Sequence, residues 1–98
     1  MPLACRITDT DTGHESYPPS SISTGSADVF IEGLGAATVG DALIPHASPS
    51  VSPPVPHPRT VSVGSPNVFV NNKALARFGD NVSCGGVLIS SSSTVNIN

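Results

Sequence analysis

The sequence predicts an all-β domain made of three similar hairpin units that close on one another. Three observations carry this reading. A short phrase recurs three times, helix signals are nearly absent, and the first residues of the chain resemble the part its last unit lacks. The phrase Gly25-Ser26-Ala27-Asp28-Val29-Phe30-Ile31 returns as Gly64-Ser65-Pro66-Asn67-Val68-Phe69-Val70 and, worn down, as Ser91-Ser92-Ser93-Thr94-Val95-Asn96-Ile97. A repeat this short marks a small supersecondary unit whose copies bury one another's apolar faces.

Each unit opens on a strand. Val29 and Ile31 alternate with Phe30, and Val68 and Val70 with Phe69, the period of two that a half-buried strand requires. Gly33 and Gly35 in one copy, and Asn71-Asn72 in the other, supply turn residues. A second strand then ends at Gly40-Asp41 and Gly79-Asp80. Lys73 to Phe78 could pass for a helical turn, but its counterpart Leu34 to Val39 carries Gly35 and two β-branched residues. Equivalent segments fold alike, so both are expected as strand. The third copy stops just after its first strand, and Arg6-Ile7-Thr8-Asp9 matches Arg77-Phe78-Gly79-Asp80. The N-terminal strand is therefore expected to complete the third unit, which makes the two ends of the chain spatial neighbours. Between the first and second units, Pro45 to Pro58 reads as a stiff extended loop, because Pro49, Pro53, Pro54, Pro56 and Pro58 cannot donate to a ladder.

Composition limits both core and partners. The 98 residues make one domain, 1–98; 11% are charged, the formal net charge is −3 and aromatics are 4% with no Trp. A nucleic-acid footprint is not expected from so weak and acidic a charge balance. So few large side chains build a small core, and chains of this kind usually need a metal, a disulfide or a partner as a staple. No apolar run is long enough for a transmembrane helix. Met1 to Arg6 contains no apolar signal-peptide region, so synthesis in the cytoplasm is expected, with any exit by a route other than general secretion. Cys5 and Cys84 allow one disulfide, which a reducing cytosol disfavours.

The repeat also sets out candidate metal ligands. Asp9 is followed five residues on by His14, Asp41 five on by His46, and Asp80 four on by Cys84; His57 stands in the proline-rich segment. Three His and one Cys suit a closed tetrahedral Zn²⁺ site of the structural kind, and Fe²⁺ fits less naturally. The competing reading is that three histidines in a chain of this length are ordinary surface or core residues. Cys5 aligns with Ala76 and reads as a small buried apolar residue. The repeated aspartates fit either turn closure or support of the ligand rings. A nucleophilic Cys84 would be the enzymatic reading, but no orienting third group stands at recognisable spacing, and no enzyme is expected.

The strings Gly64 to Asp80 and Ser83-Cys84-Gly85-Gly86, with Cys5-Arg6-Ile7-Thr8-Asp9 and Gly13-His14, resemble the PAAR-repeat proteins over essentially the whole chain. Thr8 and Ser91 stand where that family usually has Gly, and Leu75 where Pro is common. The resemblance implies a small pseudo-three-fold cone of short β-hairpins, stapled near its apex by zinc on His14, His46, His57 and Cys84. It implies a cone seated one per trimer on a β-helical spike, in a type VI secretion system or a contractile phage tail, with transient contact with a target envelope and no small-molecule substrate. It places the assembled protein at the tip of the tail or tube, delivered outside the cell or virion that made it. Phe30, Phe69 and Asn96, or their Val/Ile neighbours, are expected at the docking base. The alternatives are a free-standing zinc-binding or redox module, which would need no spike, and a small Cys84 hydrolase.

Overall fold

The computed structural model describes residues 2–13, 18–46 and 57–97. Among these the chain is all-β with one short 3₁₀ turn. Two hairpins of two-residue strands pair β1 (Phe30–Ile31) with β2 (Leu34–Gly35) and β5 (Phe69–Val70) with β6 (Lys73–Ala74). A longer pair joins β3 (Ala42–His46) to β4 (His57–Thr60), and a 3₁₀ turn spans Ser83–Gly85. The hairpin turns fall on Glu32-Gly33 and Asn71-Asn72, all four with positive φ. Gly35 lies in β2 rather than in the turn.

The third hairpin is completed across the ends of the chain, as the repeat predicts. Leu3 bridges Asn96, and the Ala4 amide donates to the Val95 carbonyl at 2.8 Å. The equivalent bonds in the other units run from Ala36 to Val29 and from Leu75 to Val68, both at 3.0 Å. The serine of the repeated phrase has a common role: Ser26 Oγ accepts from the Val29 amide at 2.9 Å, and Ser65 Oγ from the Val68 amide at 3.0 Å.

The units then join in a closed ring. Thr38 bridges Leu75, Arg77 bridges Ala4, and Arg6 bridges Ala36, so each unit pairs with the next and the last with the first. At the centre the Ala37 amide donates to the Cys5 carbonyl, Cys5 to Ala76, and Ala76 to Ala37, at 3.1, 2.9 and 2.8 Å. These three side chains are fully buried. Only small residues let three backbones approach this closely around one axis, which explains why Cys5 occupies an alanine position. Its thiol donates to the Ser90 carbonyl at 3.3 Å. Burial, reinforced by the carboxylates of Asp9 and Asp80, pushes its pKa up to about 12, which leaves it an inert structural thiol.

Two apolar clusters flank this ring. Ala4, Ala36, Leu75, Ile31, Val70 and Ile97 form one. Ile22, Val61 and Leu88, with Leu43 and Val82, form the other around Cys5, Ala37 and Ala76. The repeated aspartates close turns: Asp9, Asp41 and Asp80 each accept the amide three residues back, at 2.7, 2.7 and 2.8 Å. Each turn needs a left-handed residue before its Asp, supplied by Gly40 (φ 95), Gly79 (φ 88) and Thr8 (φ 76). A β-branched residue is strained there. Thr8→Gly is accordingly expected to stabilise the chain by about 0.5–1 kcal/mol, the relief of strain exceeding the added unfolded-state entropy. A higher urea midpoint at unchanged m-value would register it.

Two further sequence expectations need correction. Pro45 and Pro58 lie inside β3 and β4 rather than in a loop. The pair tolerates them because its register shifts between Leu43 and His46, an irregularity of the kind that accommodates a residue with no amide to donate. Residues 47–56 of the proline-rich segment lie outside the described residues. The second strands are also shorter than expected, because the chain leaves each hairpin after two residues to bridge a neighbouring unit.

Candidate functional site

Beyond the apolar layer of Ile22, Val61 and Leu88, the repeat brings the segments carrying the candidate ligands to one end of the molecule. In the β3–β4 pair, His46 stands directly opposite His57. The 3₁₀ turn that contains Cys84 packs on β4: the Thr60 amide donates to Ser83 Oγ at 2.9 Å, and Val61 bridges Val82. The Thr12 amide donates to the Val87 carbonyl at 2.9 Å, and Gly13 (φ 68) turns the chain immediately before His14. The Gly13 carbonyl lies against Gly86, 3.3 Å from where a Cβ on that glycine would stand. His14 lies outside the described residues, and for His57 and Cys84 the description extends to the backbone. Among the described side chains no three potential ligands gather at one point.

His46 is described in full. It is buried, and its Nδ1 lies 2.9 Å from the Pro18 carbonyl and 2.9 Å from Arg59 Nη1. Arg59 is the largest fully buried side chain among the described residues. Its Nη2 lies 2.7 Å from Asp11 Oδ1 and donates to Ser20 Oγ at 2.7 Å. Asp11 Oδ1 also accepts the Ser20 amide at 3.0 Å. Two atoms of this pair have no hydrogen-bond partner, Asp11 Oδ2 and Arg59 Nε. Asp11 Oδ2 sits so close to Gly86 that any Cβ there would collide with it, so Gly86 is required for close approach rather than for its φ.

Asp11 and Arg59 escaped the sequence reading, although the repeat holds a signal for both. Asp11 stands two residues after Asp9, where the other units place Leu43 and Val82. Arg59 stands two residues before Val61, where the others place Ser20 and Gly86. Two charged residues thus interrupt a layer that is otherwise apolar or small, and only the fold shows that they face each other.

At the opposite end the proposed docking residues are exposed. Phe30 and Phe69 are 61% and 58% accessible and Asn96 is exposed. Their neighbours Ile31, Val70 and Ile97 form the apolar cluster beneath, so the two sets separate into surface and core. Hydrogen bonds link neighbouring units on this side. Glu32 accepts from the Ser93 and Thr94 amides at 3.1 and 2.9 Å and from Arg6 Nη1 at 2.9 Å, and Asn71 donates to Asp28 Oδ1 at 3.0 Å. The bond from Thr94, with those from Ser93, holds the Glu32 carboxyl below its ordinary range.

A family model described as the PAAR motif matches residues 12–90 of the chain. The chain is also 35% identical over 73 residues to Double-stranded DNA deaminase toxin A of Burkholderia cenocepacia (strain H111), a match covering 74% of this chain and 5% of that protein. The chain therefore spans a small fraction of that relative's length.

Proposed function

The chain belongs to the PAAR-motif family, and from that premise we propose that it is the structural tip of a contractile injection machine, a type VI secretion system or phage tail, capping a trimeric β-helical spike. The observation that carries the reading is the closed ring of three equivalent bridges, Thr38 to Leu75, Arg77 to Ala4 and Arg6 to Ala36. One chain thereby presents three near-equivalent hairpins about one axis, the symmetry a trimer offers. The open strand edges at the end of such a trimer favour extension by strand addition. Exposed Phe30 and Phe69 at matched positions suit the apolar centre of such a contact.

At the other end, His14, His46, His57 and Cys84 would hold zinc. Two observations support the fit: the register that sets His46 against His57, and the packing of the Cys84 turn on β4 with the Gly13 segment against Gly86 just after that turn. When bound, the metal supplies a cross-link among segments of all three units where little apolar core is available. The activity printed for the toxin relative is not carried over, because the shared stretch is a small part of that protein.

Mixing the chain with its purified spike trimer should give one copy per three spike chains by native mass spectrometry. Three copies, or no complex, would defeat the proposal. Elemental analysis of the purified chain is expected to find one zinc, and chelation should lower its melting temperature; a chain without metal would remove the zinc from this reading.

A further inference from the structure

Thr38 breaks a pattern that its repeat counterparts Arg6 and Arg77 keep. Each arginine folds back on the aspartate three residues on: Arg6 Nε and Nη2 donate to Asp9 at 3.1 and 3.2 Å, and Arg77 Nε and Nη2 to Asp80 at 2.9 and 2.8 Å. Arg6 also donates from Nη1 to Glu32 Oε1 at 2.9 Å, across the unit boundary, and from Nη2 to the Ser91 carbonyl at 3.2 Å. The first unit has Thr38 and Asp41 at these positions. Thr38 is too short to fill the space of an arginine. A cavity of about 160 Å³ lies there, lined by Gly25, Ser26, Thr38, Asp41, Asn71 and Lys73. The exposure of its walls records the gap. Asp9, Asp80, Ser65 and Ser92 are buried, whereas Asp41 and Ser26 at the matching positions are half-buried.

We propose that this cavity is a binding site for a guanidinium group, the head of an arginine supplied from outside the chain, with Asp41 as its counter-ion. The acceptors that hold the Arg6 guanidinium have counterparts around the cavity: Asp41 stands for Asp9, Gly25 for Ser91 and Asn71 for Glu32. Asp41 Oδ2 accepts from the Thr38 amide and hydroxyl, while Oδ1 has only the Thr24 hydroxyl, at 3.2 Å, among the described donors. Asn71 Nδ2 is engaged with Ser26 and Asp28, and no described group donates to Asn71 Oδ1 or to the Gly25 carbonyl. A planar, weakly hydrated guanidinium matches such a set of acceptors through paired charge-assisted bonds. Lys73 also lines the cavity, but it is exposed and forms no described ion pair with Asp41. Its ammonium is a compact, strongly hydrated charge and does not reproduce the fork. The site lies apart from the candidate metal ligands and does not depend on the zinc or spike readings.

The test titrates the full ¹⁵N-labelled chain with guanidinium chloride at constant ionic strength and follows the backbone amides. Saturable shifts are expected at Gly25, Ser26, Thr38, Asp41 and Asn71, with a dissociation constant on the order of 1–10 mM, as few charge-assisted bonds are available. Methylammonium chloride, a cation without the fork, should bind more weakly. Thr38→Arg supplies the missing side chain and should abolish the shifts. Asp41→Asn, which keeps an acceptor for the Thr38 amide, should weaken binding by about tenfold or more. The source is read by comparing N-acetyl-arginine methylamide, which stands for an arginine within a protein chain, with free arginine. Tighter binding of the blocked form points to a partner chain, tighter binding of the free form to the amino acid, and either supports the site. No saturable shift in the wild type, or equal shifts with methylammonium, would overturn the proposal even if the variants fail to fold. Undiminished binding in folded Thr38→Arg or Asp41→Asn would overturn it as well.

Discussion

Replacing Arg59 alone with leucine is expected to destabilise the chain by about 3–5 kcal/mol, and replacing Asp11 with leucine at the same time is expected to restore all or more of that loss. Both side chains are completely buried and pair at 2.7 Å. Removing the cation leaves a carboxylate in an apolar layer with one oxygen already unsatisfied. Removing both gives position 11 the apolar residue that Leu43 and Val82, 1% and 2% exposed, supply at the same repeat position, and leaves no charge at position 59, where the other units have Ser20 and Gly86. A buried pair with two orphaned atoms is weak evidence for net stability, because desolvation offsets most of its Coulomb attraction. Urea unfolding of the two single variants and the double variant, all at saturating zinc, completes the cycle. A single Arg59→Leu variant as stable as wild type would show that water or another group reaches Asp11.

Ala76→Leu is expected to cost at least about 3 kcal/mol, and in a domain this small to abolish folding. Ala76 is fully buried, its amide bonds Ala37 and its carbonyl accepts from Cys5. A larger side chain has to push apart three backbones whose mutual hydrogen bonds define the axis. Cys5→Ala, which copies the residue found in the other two units, serves as the control and should cost less than about 1.5 kcal/mol. Circular dichroism and size-exclusion chromatography distinguish the outcomes. A well-folded Ala76→Leu chain would mean that the ring has room to expand.

Much of this fold is legible in the sequence because its turns impose local chemistry. The Asp of each Gly-Asp or Thr-Asp step binds an amide three residues back, and the residue before it must be left-handed, so Arg6-to-Asp9 and Arg77-to-Asp80 advertise one geometry in two distant places. That is why the completion of the third unit across the chain ends could be anticipated. The β3–β4 pairing was hidden by proline: rules for regular ladders discount Pro45 and Pro58, while an irregular register admits them. The Asp11–Arg59 pair was hidden for a different reason. Its members lie in different units, and nothing local to either residue records the contact. The four candidate ligands were chosen from their spacing, and the register of β3 on β4 gives a physical cause for bringing two of them together.

The closed ring has a mechanical consequence. In the proposed role at the tip of a spike, thrust along the axis would load the ring circumferentially, and such a load would find the weakest joint. Two hairpins are closed by covalent turns, at Glu32-Gly33 and Asn71-Asn72. The third is fastened across the chain ends by hydrogen bonds of 2.8 Å from Ala4 to Val95 and from Ile97 to Pro2. Glu32 reaches over this joint from the neighbouring unit to grip Ser93 and Thr94 while also holding Arg6. It acts as a rivet through both edges of the seam, the joint on which such a load would fall.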